Sequence, residues 1–167
     1  MLTVHGNMSN PLVLVFAGPN GSGKSTVAKL MPCYGTYINA DDLKVEYALT
    51  DLEAAQKAEA LRKKLLEKKA GYQIHCIYVL TCTADINVAR IKSRVQEGGH
   101  DVPEDKVRSR YSKALKLLPE LIDVCDIMLI YDNSVMPSPI FRKDRNGIEY
   151  FPTEIWPMEK LKELIKK

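Results

Sequence analysis

The chain has 167 residues, 46% of them hydrophobic and 27% charged, with a net charge of +3 at pH 7. That length makes one domain with a core of its own, and no repeat or low-complexity tract argues for a second. The mild basic excess is spread along helix-like stretches such as "RKKLLEKK" and no apolar run reaches bilayer length, so neither a nucleic-acid nor a membrane partner is expected.

In chain order, residues 1–10 read as a flexible leader that lacks the basic start of a secretory signal. "PLVLVFAG" then predicts a buried strand over Leu12 to Ala17, and "GKSTVAKLM" a helix from Lys24 that ends near Pro32. "TYIN", residues 36–39, is a short second strand running into "ADD". Thr50-x-x-Glu53 has capping-box spacing and heads a long amphipathic helix, Leu52 to Ala70, stopped by Gly71. "IHCIYVLT" is a third strand, "ADINVARIKSRVQE" a helix closed by Gly98-Gly99, and "PEDKVRSRYSKALKLL" a helix opened by Pro103. "DIMLIYDNS" is a last core strand, and "IFRKDRNGIEYF" a hairpin with Asn-Gly at its centre. The alternation predicts an α/β fold, a mostly parallel sheet flanked by helices in three layers.

The four cysteines, Cys33, Cys76, Cys82 and Cys125, have neither CxxC nor metal-site spacing. Buried free thiols in a reducing, cytoplasmic setting are the expected state.

The chemistry begins at "GPNGSGKST". Gly18, four residues (Pro19, Asn20, Gly21 and Ser22), then Gly23-Lys24-Ser25 form the Walker A pattern of a phosphate-binding loop, and Thr26 follows. Gly18, Gly21 and Gly23 let the backbone take positive φ angles and curl its N–H groups around phosphate oxygens. Lys24 adds a point charge for the outer phosphates, and the Ser25 hydroxyl suits magnesium. A preceding strand and a following helix, whose N-terminus favours anions, complete the context for ATP or GTP with Mg2+.

In such sheets ligands lie beyond the carboxyl ends of the strands. Asp41 and Asp42 follow the predicted second strand; they would take a proton from an attacking hydroxyl or hold magnesium, the alternative being a helix cap. Asp132, Asn133 and Ser134 end the last strand, where ligand contact competes with ordinary turn chemistry. Arg90 and Arg94 share a helix face, and Arg108 and Arg110 come from the next helix. Helices over about residues 84–118, joined by "EGGHDVPED", look like a lid whose guanidiniums, Arg94 and Arg110 first and Arg90 next, neutralise phosphate charge and exclude water. His100 reads as a polar turn residue and Tyr111 as packing.

"VFAGPNGSGKST", "YINADD", "NVARIKSRVQEGGHDVPEDKVRSRY" and "LIYDNS" together resemble the zeta-toxin-like family of P-loop kinases, co-linearly over most of the chain. The resemblance implies a nucleoside-monophosphate-kinase-like fold. It also implies transfer of a phosphoryl group, with magnesium, to the 3'-hydroxyl of the amino sugar in UDP-N-acetylglucosamine, and for some members a small antitoxin partner. On this pattern Asp41 is the base and Arg94 and Arg110 are the lid arginines. A kinase for another metabolite, or a nucleotide-dependent switch, remains the alternative.

The chain departs from the family in one place. Members carry a further strand and helix, with a sugar-nucleotide contact motif, before the strand that matches "GYQIHCIYVLT". A strand with its crossover helix needs roughly 25 to 30 residues, and the stretch between Leu61 and His75 has no room for them. Its absence is expected to bare strand edges in the middle of the sheet.

Overall fold

The computed structural model describes residues 12–31, 38, 40–50, 52–54, 56–58, 60, 72–99 and 101–166. The predicted leader, Cys33, most of the strand at 36–39, the junction at 61–71 and His100 lie outside the described residues. The contacts divide the chain into two compact units, residues 1–12 with 32–73 and residues 13–31 with 74–167.

In the first unit, α2 (Ala40–Glu46) contains Asp41 and Asp42 in its first turn. Residues 52–54 and 56–58 are helical, headed by the predicted capping box. The Glu53 carboxylate accepts from the Thr50 N–H at 2.8 Å and from its hydroxyl at 2.7 Å, and the Glu53 N–H returns to the Thr50 hydroxyl at 3.4 Å. These bonds hold the Glu53 carboxyl below its usual range.

The five strands lie in the order β1 (Leu12–Ala17), β2 (Gln73–Leu80), β3 (Ile127–Asp132), β4 (Ser138–Asp144) and β5 (Gly147–Tyr150). Thus β1 stands at one end, and among the described strands its only neighbour is β2. The β2/β3 pairing is parallel, from His75↔Ile127 to Leu80↔Asp132, whereas β3/β4 and β4/β5 are antiparallel. The sheet is therefore more mixed than the sequence predicts, because the expected hairpin does not stand apart but extends the sheet beyond β3. Its turn also sits one residue early: Asp144 pairs with Gly147, leaving Arg145-Asn146 as the two-residue loop. The cause is local, since the Asp144 carboxylate accepts from the Asn146 N–H at 2.7 Å and closes the turn there.

Side-chain alternation along β2 and β3 splits the core of this unit into two faces. Cys76, Tyr78 and Leu80 with Met128 and Ile130 pack against Leu118 and Ile122 of α5 (Leu118–Val124), Leu161 of α6 (Met158–Leu164) and Trp156 just before α6. Ile77 and Val79 on the other face meet Val27 of α1 (Lys24–Lys29), with Phe16, Leu129 and Tyr131 alongside. Helices thus cover both faces of the sheet, the three-layer arrangement that the alternation predicts. A third cluster, Val88, Ile91 and Val107, joins α3 (Ala84–Gln96) to α4 (Glu104–Lys116). The helix predicted from Pro103 stops at Lys116, and Pro119 early in α5 marks the restart. Among the described residues no helix is long and apolar enough to cross a membrane.

Candidate functional site

The loop between β1 and α1 curls where the glycines allow it. Gly18, Gly21 and Gly23 have φ of 135°, 77° and 93°. Close approach reinforces the requirement at all three, and a Cβ on Gly18 would run into the Val79 carbonyl of β2. A Cβ on Gly21 would stand 2.7 Å from the Asn87 carbonyl oxygen, and one on Gly23 would run into the Asn133 amide. The loop is therefore pressed between α3 and the end of β3.

Lys24, half-buried, bends back over this loop and donates from Nζ to the carbonyls of Gly18 and Pro19, each at 3.0 Å. Ser25 and Thr26 are exposed in the first turn of α1. The Ser22 hydroxyl, by contrast, is buried and has no hydrogen-bond partner among the described residues.

Two amides grip the outside of the loop. Asn87 Nδ2 donates to the Asn20 carbonyl at 2.6 Å, and Asn133 Nδ2 to the Ser22 carbonyl at 2.8 Å. Asn87 is oriented by the Thr81 hydroxyl, which donates to its Oδ1. Asn133 is fixed by its own N–H on the Leu80 carbonyl at 2.8 Å. The flanking residues tie strand ends together: Asp132 accepts from the Ser134 hydroxyl at 2.5 Å, and Ser134 Oγ accepts from the Cys82 N–H at 2.8 Å. Asp132 and Ser134 thus make the turn bonds that the sequence offers as the alternative to ligand contact, and Asn133 holds the loop. A cavity of about 390 Å³ opens beyond the carboxyl end of β3, lined in part by Asp132, Val135, Met136 and Ile155.

No family model and no solved structure matches this chain. It is similar to an uncharacterized protein of Haemophilus influenzae, 28% identical over 127 aligned positions that take in 59% of this chain and 91% of that protein. Because 59% of 167 residues falls short of 127, the relative carries residues with no counterpart here.

The arginines separate by position. Arg90 lies beside the loop: its guanidinium donates to the Ser134 carbonyl at 3.3 Å and reaches within 3.9 Å of where a Gly23 Cβ would stand. Arg94 is exposed, and its aliphatic stem packs on Gly99, so close that a Cβ there would sit 2.7 Å from Cγ. Arg110 is exposed on α4. Arg108 is spent on ion pairs with Asp85 at 2.7 Å, which bridges α3 to α4, and with Glu104 at 2.8 Å, one turn away on α4 itself. Sequence reasoning ranked Arg94 and Arg110 first, but Arg90 is the guanidinium beside the loop.

Asp41 and Asp42 belong to α2, in the other unit. On the sequence Asn87 is an ordinary polar position of an amphipathic helix; its full burial sets it apart, and spacing does not carry that signal.

Proposed function

We propose that this chain is a magnesium- and nucleoside-triphosphate-dependent kinase acting on a hydroxyl group of a small molecule. The observation that carries the reading is the loop itself: three left-handed glycines, an ammonium bent over its carbonyls, and close packing that leaves no space for side chains at Gly21 and Gly23. These features fit a triphosphate. The loop N–H groups and Lys24 would hold its outer phosphates, and Arg90 lies within reach of the same loop. Magnesium on Ser25 would neutralise phosphate charge when bound, and the sequence alone offers Asp42 as a further ligand, directly or through water.

On this reading the acceptor oxygen attacks the terminal phosphorus, its proton passes to the Asp41 carboxylate, and the nucleoside diphosphate leaves. Arg94 and Arg110 would act when the α3/α4 pair closes over the phosphates, and they also limit loss of the phosphoryl group to water. UDP-N-acetylglucosamine is the leading acceptor, and it rests on the family resemblance of the sequence. The same resemblance makes a small antitoxin protein the partner to seek.

The test is incubation of the full chain with ATP or GTP, Mg2+ and UDP-N-acetylglucosamine, followed by mass analysis of the sugar nucleotide. A gain of one phosphoryl group that disappears in Asp41→Ala, with nucleotide binding retained, is expected. Nucleotide binding without transfer to any alcohol, and indifference to Asp41→Ala, would point instead to a nucleotide-dependent switch.

A further inference from the structure

Each planar peptide sets its N–H and C=O on opposite sides. A loop that turns its N–H groups inward on an anion therefore turns carbonyls outward into protein, where each needs a donor. Lys24 serves Gly18 and Pro19 in this structure. Its ammonium, however, is also the group that bound phosphates attract, so those two bonds are exchangeable. The side chains on the Asn20 and Ser22 carbonyls are neutral amides, which no phosphate draws away.

We infer that Asn87 and Asn133 are positioning residues for nucleotide binding: two buried amides that keep the outer carbonyls of the phosphate loop engaged, and so keep its N–H groups facing the anion, when Lys24 moves to the phosphates. This rests on the reading of the loop as a nucleotide site. Three features of the pair support it. Both side chains are buried, Asn87 fully and Asn133 with 7% exposure, and the Asn133 bond is itself buried, so its loss would leave the Ser22 carbonyl without a donor. Each amide is itself held, Asn87 by Thr81 and Asn133 through its backbone N–H on Leu80. The two come from different elements, α3 and the turn after β3, and grip carbonyls two residues apart, which fixes the orientation of the peptides between them. An amide is required because a carboxylate in its place would neither donate to the carbonyl nor tolerate the phosphates nearby.

The experiment uses the full 167-residue chain, with Asn133→Asp, Asn133→Ala and Asn87→Asp beside the parent. Binding of a fluorescent ATP analogue with Mg2+ is titrated from about pH 8 down to about pH 5, and unfolding is followed without nucleotide. Each variant is expected to bind about tenfold more weakly, or worse, near neutral pH. The aspartate variants should then regain affinity as pH falls, because a protonated carboxyl donates where a carboxylate cannot; Asn133→Ala should not. Variants that bind within about threefold of the parent would overturn the inference. So would aspartate and alanine variants weakened equally at every pH, or lowered unfolding midpoints with affinity intact, since either result leaves the amides a purely structural role. A parent chain that binds no nucleotide would overturn the kinase reading as well, and is distinguished by that control.

Discussion

The phenolic hydroxyl of Tyr111 donates to the backbone carbonyl of Thr81 across 2.6 Å. The contact extends a relay, because the Thr81 side chain orients Asn87 and Asn87 holds the Asn20 carbonyl. A residue of α4 that reads as mere packing is thus linked by hydrogen bonds to the loop between β1 and α1. Tyr111→Phe removes the donor and leaves a buried carbonyl unmatched, at a cost of about 1–3 kcal/mol. Denaturant unfolding should show a lowered midpoint with an unchanged slope; an unchanged midpoint would mean that the bond contributes nothing net.

Alkaline pH should attack the same region. Burial pushes the Tyr111 hydroxyl from 10.0 up to about 12, and the Cys76 thiol from 9.0 up to about 12, with the adjacent Cys125 adding to the latter. Both groups stay neutral longer in the folded chain than in the unfolded one. Their contribution is complete below the unfolded values and is lost as pH rises through about 9 to about 12. Stability measured by urea unfolding should therefore fall with pH across that window, less steeply in Tyr111→Phe. A flat profile would contradict the assignment.

Loss of Arg90 should differ in kind from loss of the outer arginines. Arg90→Ala is expected to weaken nucleotide binding by about tenfold, since its guanidinium stands beside the loop. Arg94→Ala and Arg110→Ala should leave affinity within about threefold and slow transfer instead. Arg108→Ala removes only exposed, solvent-screened ion pairs and should spare both readouts. Equal affinity losses across all four would remove the distinction between loop and lid positions.

Ser22→Ala tests the buried hydroxyl that finds no partner among the described residues. Removing an unsatisfied polar atom relieves a desolvation penalty, so thermal stability should hold or rise by up to about 1 kcal/mol, and nucleotide affinity should not change. A loss of more than about 1 kcal/mol would show that the hydroxyl has a partner in solution, such as a buried water.

Local chemistry was legible in the sequence and long-range geometry was not. Thr50 and Glu53, three residues apart, form the capping box their spacing predicts, and the positive φ angles of Gly18, Gly21 and Gly23 follow from their places in the motif. Strand β1 matches its predicted bounds because its apolar run is flanked by Pro11 and Gly18. The hairpin shows the limit within a few residues: Asn146-Gly147 signals a turn, but the Asp144 carboxylate moves it back by one. Asn87 and Asn133 lie 67 and 111 residues from the carbonyls they hold, and no pattern of neighbours announces such a bond. The choice of Arg90 over Arg94 depends likewise on which turn of α3 lies beside the loop, because the two share a face on a helical wheel.

Trp156 is the chain's one tryptophan, 2% exposed in the core that α5 and α6 build with β2, β3 and β4. Lys160 lies over its ring, 4.0 Å from the centroid. The chain consequently carries its own optical reporter. Native emission should be blue-shifted and should move to the red as this face of the sheet opens, so that folding of the layer opposite α1 can be followed without any label.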